Sequence, residues 1–292
     1  MLDPEALLAL RTETEQSYTE RDSWIYALGL GLGGDPGDLA YVAAPDPRAL
    51  PTMALVLAQG PSLIADPRAG IDFAKVVHGA QSLTMHRPLP AAATVYSRAS
   101  VTGLVDKGEG RGAIVSTTRE LYDKGSGEHL ATSVQEAFCR GDGGFGGNAG
   151  APVQESPLPQ RAADFVVALP TSPRAALIYR LSGDLNPLHW NPERATSVGF
   201  ARPILHGLAA FGMVGAALLR QCCAEDAVRF RTIRAQFSAP VTPGETIELS
   251  GWHEDGAVLF EGRVPGRDRP VLAGGRFTAD GLDQHMINDG EG

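Results

Sequence analysis

Within six residues, Asp184 to His189, the chain carries a carboxylate, an amide and an imidazole: Asp184, Asn186 and His189. Gly183 and Pro187 punctuate the stretch, so it reads as a loop. A carboxylate and an imidazole this close can hold one water between them. One group takes its proton and the other supplies one. A long apolar run follows, opened by Pro203 and carrying His206-Gly207 near its start. Leu205, Leu208, Phe211, Val214, Leu218 and Leu219 are apolar, and Ala or Gly fills most remaining positions. This predicts a helix from about Pro203 to Cys223 that is apolar nearly all round and therefore buried. Pro203 suits its first position. Gly207 has no side chain to shield its N–H, so a ligand oxygen can approach closely. An N–H near a helix N-terminus polarises a carbonyl and stabilises a developing enolate. Loop and helix together make a site for adding or removing water beside a polarised carbonyl.

Blander readings exist for each part. Ser182-Gly183-Asp184 alone is usually a turn, its carboxylate bonded to nearby backbone N–H groups. A lone His189 beside Trp190 is more often packed or exposed than catalytic. The Asp-x-Asn-x-x-His cluster could ligate a metal, but no further His or Cys stands at ligand spacing nearby, so no metal site is expected. Chemistry gains weight because all three polar residues precede a Gly-bearing helix start.

The elements that must position these groups come from the rest of the 292 residues, enough for one large or two ordinary domains. A hydrophobic share of 43% and a charged share of 20% fit a soluble globular protein. The net charge of −9 argues against a nucleic-acid or anionic-membrane partner, though a local basic patch can still hold a phosphate. The N-terminal stretch lacks the parts of a signal peptide, and no apolar run reaches a convincing membrane span. Cys139, Cys222 and Cys223 form neither a disulfide framework nor a zinc pattern, which points to reduced, cytoplasmic thiols.

Taken in order, residues 1 to about 23 read as a polar leading helix, and a second helix runs from Trp24 to Gly31 or Gly33. Residues 34–51 are loop. Met53 to Ala58 is a strand or a brief helix. Strands are predicted over 72–85, 95–105, 112–122 and 130–139, then over 230–239, 246–253, 257–264 and 271–277. Residues 141–160 are rich in Gly and Pro and mark the clearest boundary. The expected units are therefore 1–140, a linker at 141–160, and 161–292. Element order repeats across the boundary, and the segment around Ala80-Gln81 echoes that around Ala235-Gln236, which suggests a duplicated fold. In the first half Pro51, Gly60, Pro61, Pro67 and Gly70 interrupt the stretch that corresponds to the long helix. An α+β fold, with an antiparallel sheet wrapped around the apolar helix, satisfies these observations.

Residues 179–195, Tyr-x-Leu-Ser-Gly-Asp-x-Asn-Pro-Leu-His followed by Ala195, closely resemble the signature of the R-specific (type-2) enoyl-CoA hydratases of the MaoC-like dehydratase family. FAKVVHGAQ, VDKGEG and GDGGFGG in the first half match the layout of that group, which includes the hydratase region of peroxisomal multifunctional enzyme type 2. The resemblance implies a double hot-dog fold, two units in one chain, with the catalytic loop kept only in the second. It implies reversible hydration of trans-2-enoyl-CoA to (3R)-3-hydroxyacyl-CoA, with Asp184 and His189 on the water, Asn186 orienting water or His189, and Gly207 as the oxyanion-hole residue. It further implies contacts of His78, Gly79 and Phe237 with the acyl-CoA and of Lys107 with coenzyme A. No cofactor is expected, coenzyme A being part of the substrate, and a homodimer is. Without the resemblance, His78-Gly79 reads as a strand His beside a Gly bulge, Lys107 as a solvated turn lysine, and Phe237 as core.

Two other functions fit parts of this reading. A hot-dog acyl-CoA thioesterase would also polarise a thioester carbonyl, with water attacking C1 rather than C3. A non-catalytic acyl-thioester-binding module would not need the intact Asp184/His189 pair. In the first half, Leu55, Val56, Leu57, Leu63 and Ile64 would line space left by the shortened helix, suited to medium and long acyl chains.

Overall fold

The computed structural model describes residues 2–43, 45–146, 148–149 and 157–282. Part of the 141–160 stretch thus lies outside the described residues. The strands are β1 Arg11–Tyr18, β2 Val76–Met85, β3 Ala93–Asp106, β4 Ala113–Asp123, β5 His129–Cys139, β6 Asn148–Ala149, β7 Phe165–Pro170, β8 Phe230–Phe237, β9 Thr246–Glu254, β10 Ala257–Arg263 and β11 Leu272–Ala279. The helices are α1 Pro4–Ala9, α2 Glu20–Gly29, α3 Leu39–Val42, α4 Ala175–Tyr179, α5 Pro192–Ser197 and α6 Gly207–Cys223.

One antiparallel sheet runs in the order β1-β3-β4-β5-β2-β8-β11-β10-β9-β7, with β6 paired to β3. Each half has the same internal order: first strand, third, fourth, fifth, second. The halves meet at β2 and β8, where Ala80 lies opposite Gln236 and Gln81 opposite Ala235. The echoed Ala-Gln pair thus pairs with its own counterpart, as a duplicated unit joined about a local two-fold requires. This is the double hot-dog arrangement.

The second half packs one long helix on its sheet. Phe211, Val214 and Leu218 of α6 are fully buried in one core with Ile233, Leu249, Phe260 and Phe277. Each such side chain contributes on the order of 1.5–3 kcal/mol of burial free energy. In the first half only short 3-10 turns, Pro51–Leu55, Leu63–Ala65 and Pro67–Ala69, occupy the corresponding place. A helix satisfies its own carbonyls; these turns do not, so the sheet supplies donors. Arg119 bonds the carbonyls of Leu57 (2.5 Å) and Ala54 (2.7 Å), and Ser97 bonds that of Ala58 (2.6 Å).

The two inner faces differ accordingly. The row Val167, Leu249, Gly262, Leu272, Phe237 crosses the second half and is apolar throughout. In the first half the row Thr12, Ala99, Arg119, Ser133, Leu83 is not, nor is the adjacent row with Thr117, Gln135 and Gln81.

That polarity corrects one expectation. Residues 1–23 are not a leading helix: α1 stops at Ala9 and β1 follows. Thr12, with its partner Ala99, shares the face of Arg119 and lines a cavity beside it. The strand RTETEQSY therefore has no apolar alternation to betray it. The helix expected from Pro203 begins instead at Gly207. The preceding residues are held extended, because Leu205 N–H donates to Val241 (2.7 Å) and the Ile204 carbonyl accepts from His189 (2.8 Å).

Candidate active site

The site is assembled from the loop that leaves α4 and the start of α6. After α4, a 3-10 turn, Arg180–Ser182, ends at Gly183, whose φ of +119° an L side chain would strain. The chain then turns sharply into Asp184. One carboxylate oxygen of Asp184 accepts the Asn186 N–H (3.0 Å), and the Asn186 side-chain oxygen accepts the Leu188 N–H (3.0 Å). Asn186 thus caps the turn Pro187–His189 and sets where His189 begins. Trp190 Nε1 donates to the Leu185 carbonyl (3.2 Å), and the Arg180 guanidinium covers the indole at 5.0 Å.

His189 is 9% exposed, whereas Asp184 stands open to solvent. A carbonyl only accepts, so the bond to Ile204 fixes the His189 proton on Nδ1 and leaves Nε2 a free acceptor in the neutral ring. His206 stacks on His189, centroids 3.7 Å apart and planes 25° off parallel. His206 Nε2 donates to the Asp184 carbonyl (3.1 Å), so this second imidazole holds both the loop and the face of the first. Ligand atoms of Asp184, His189 and His206 all lie within 4.8 Å of one another. Such a set could hold a divalent ion, although one nitrogen of each ring is already committed to a carbonyl.

Gly207 is the first residue of α6, so its N–H has no partner within the helix. A Cβ there would meet the Phe237 ring at 3.1 Å. Phe237, at the end of β8, in turn packs on His78 of β2, centroids 4.5 Å apart. The β2–β8 seam therefore brings a first-half residue to the second-half site. Gly79 forms the bulge between His78 and Ala80, where a Cβ would sit 3.1 Å from the Glu136 carbonyl. Lys107 stands apart, exposed on the β3–β4 turn and without an ion pair among the described residues. Its neighbour Asp106 shares a strand row with Ala113, Cys139 and Val76, placing it about 14 Å across three strand spacings from the start of β2. Asp106 anchors that turn by accepting the N–H groups of Gly108, Gly144 and Gly146.

Two cavities flank Leu208, the residue after Gly207. One, of about 240 Å³, runs from Ser182, Gly183 and Asp184 to Met53, Val56 and Leu57 of the first half. The other, of about 130 Å³, lies against the first-half sheet and includes Leu55, Leu63 and Ile64. Gln59 and Leu208 line both. All five apolar residues expected to line the space of the missing helix do line one of these cavities.

Sequence reasoning gave a role to Gly207 and none to His206. The signal was a His directly before the helix glycine, but stacking on His189 depends on how the loop folds back. Arg119 was missed because a single Arg in a mixed strand looks like a surface residue.

Burial drives His78, His189 and His206 below their ordinary value of 6.5. Desolvation is the main cause for His189, opposed by the Ile204 bond and the Asp184 charge. It lowers His206 as well, with the His189 ring as second cause, and takes His78 to about 4. These rings are depressed in the folded state, so their contribution to stability is complete above 6.5. It is lost as pH falls towards about 4, where the unfolded chain binds more protons. The unfolding free energy from urea titration should therefore fall between pH 6.5 and 4, by up to about 1.4 kcal/mol per pH unit per such group, and the urea midpoint with it. A midpoint flat across that window would show the rings are not held neutral.

The family model described as MaoC like domain matches residues 154–268, and that described as MFE-2 hydratase 2 N-terminal domain matches residues 16–141. The chain is 38% identical over 285 residues to "Enoyl-CoA hydratase 2, peroxisomal" of Arabidopsis thaliana, with 90% of each chain covered. It is 38% identical over 274 residues to "3-hydroxyacyl-thioester dehydratase Y" of Mycobacterium tuberculosis, covering 91% of this chain and 93% of that one. Its fold is similar to the crystal structure of a MaoC-like dehydratase from Phytophthora capsici, with a TM-score of 0.85, 34% identity, and 95% and 99% of the two chains covered.

Proposed function

Because this chain belongs to the MaoC-like dehydratase family, we propose that it adds water reversibly to trans-2-enoyl-CoA, giving (3R)-3-hydroxyacyl-CoA. The Gly207 N–H holds the thioester oxygen. Water sits between Asp184 and His189, where the free His189 Nε2 and the carboxylate both accept its protons. As the water oxygen bonds C3, the double-bond electrons move towards C1 and charge gathers on the oxygen at Gly207. The proton released from water to the pair is returned to C2, which closes the balance. Asp184 and His189 act as one coupled acid–base unit. Asn186 contributes by shaping the turn that aims His189. Hydration moves no electrons to or from an acceptor, so no redox cofactor is called for, and the reading includes no metal.

The observation that carries this reading is the gathering of the Asp184, His189 and His206 ligand atoms within 4.8 Å at the N-cap of α6, one residue before the Gly207 N–H, with Asp184 on a cavity wall. Crotonyl-CoA tests it. The ultraviolet absorbance of the conjugated thioester should fall, a thiol reagent should detect no free coenzyme A, and prior chelation should leave the rate unchanged. Thiol release would make the protein a thioesterase, and no change in either signal a binding module.

The finer parts of the reading are the 3R product, medium to long chains, a homodimer and a cytoplasmic setting. No helix among the described residues is long and apolar enough to cross a membrane, and all three cysteines are buried and free. The cavity beside Asp184, walled by Met53, Val56 and Leu57, supports the medium to long chains. Enoyl-CoAs of roughly eight carbons and above should be better substrates than crotonyl-CoA, each buried methylene adding up to about 0.8 kcal/mol. A steady fall in kcat/KM from four carbons upward would show that the tail does not enter.

A further inference from the structure

The first-half cavity holds a charge that the mechanism does not use. Arg119 projects from the middle of β4 onto the sheet's inner face, where it is half-buried in the cavity wall, and no carboxylate lies within ion-pair distance of it among the described residues. Burial alone, with no opposing charge, pushes its guanidinium down to about 10. Buried charges are normally paired, because an unpaired one loses its hydration without return. The loop carbonyls of Ala54 and Leu57 take two of its five N–H groups. A neutral donor would serve for that, as Ser97 does for Ala58. The remaining N–H groups have no such explanation. Arg119 is partly exposed and lines the cavity together with Gln81, Thr117, Ser133 and Gln135. The cavity shares Gln59 and Leu208, the residue after Gly207, with the wall of the cavity beside Asp184.

We propose that Arg119 and the polar wall around it form a terminus-recognition site for acyl chains that end in a carboxylate. The inference rests on the hydratase reading and deepens it. The acyl chain runs from Gly207 past Met53, Val56 and Leu57, and its far end meets the guanidinium rather than an apolar floor. A terminal carboxylate supplies the missing counter-charge, through charge-assisted hydrogen bonds to N–H groups the loop does not use. A terminal methyl leaves Arg119 unpaired and desolvates it further.

The test compares, at each chain length, a plain trans-2-enoyl-CoA with the mono-CoA thioester of the matching 2-ene dicarboxylic acid. At the length that reaches Arg119, kcat/KM for the carboxylate-ended chain should exceed the plain one by about tenfold or more. Arg119→Gln, which keeps donors for the loop carbonyls, should bring that ratio to about one. Plain chains preferred or equal at every length would overturn the proposal, as would a preference that survives Arg119→Gln. Calorimetry on the wild type with saturated acyl-CoAs, with and without the terminal carboxylate, reads the same preference without turnover or a variant. Hydration of plain chains with no carboxylate preference sinks this inference alone. A calorimetric preference with no hydration sinks the hydratase reading and keeps the site.

Discussion

Asp184→Asn and His189→Gln each lower kcat by about 100-fold or more, as removal of a positioned acid or base usually does. The two groups share one short loop, and their ligand atoms lie within 4.8 Å, so one water can touch both. Each variant removes a titratable group, and Asp184→Asn also keeps nearly the same shape. Asn at 184 retains a side-chain oxygen for the Asn186 N–H, and Gln at 189 removes the ring that stacks on His206. Circular dichroism and the urea midpoint should therefore stay near wild type for Asp184→Asn and shift modestly for His189→Gln. The double variant should lose little beyond the worse single one, because groups acting on one water are not additive. Near-normal turnover in either single variant would remove that residue from the mechanism.

Gly207→Ala lowers kcat/KM by about tenfold or more without loss of folding. The site offers a backbone N–H at the first position of α6, and removal of one oxyanion donor costs about 10²–10³ in well-studied enzymes. The substitution keeps the N–H but narrows access to it. An alanine Cβ would stand 3.1 Å from the Phe237 ring, so the ring must shift by a few tenths of an ångström. Phe237 is packed on His78, so the shift passes to that ring. Alanine favours helix over glycine, so the melting temperature should hold or rise. Phe237→Leu in the Gly207→Ala background should recover part of the loss, and the cycle of four proteins measures the coupling. A Gly207→Ala enzyme with wild-type kcat/KM would place the thioester oxygen elsewhere.

The loop from Gly183 to His189 was legible because its polar groups lie within one short segment, where local turn rules decide the shape: Gly183 reverses the chain and Asn186 caps the next turn. The central helix was legible from its apolar run. Its first turn was not, because tertiary bonds at Ile204 and Leu205 compete with helix formation and only the folded chain contains their partners. The duplicated fold showed through the Ala-Gln echo, since both copies sit at the seam where the halves pair. Edge strand β1 left no trace, because a strand facing a polar chamber lacks the alternation by which strands are read. The role of His206 was hidden for a related reason: its partners, the Asp184 carbonyl and the His189 ring, come from an earlier loop.

The central claim is stereospecific hydration at Asp184 and His189, and one coupled assay tests it most directly. Wild-type protein is given trans-2-decenoyl-CoA with NAD and a hydroxyacyl-CoA dehydrogenase of known handedness. With a 3R-specific dehydrogenase NADH should form rapidly, with a 3S-specific one it should not, and Asp184→Asn should slow the first signal by about 100-fold or more. NADH from the 3S-specific enzyme, or undiminished NADH from Asp184→Asn, would contradict the account.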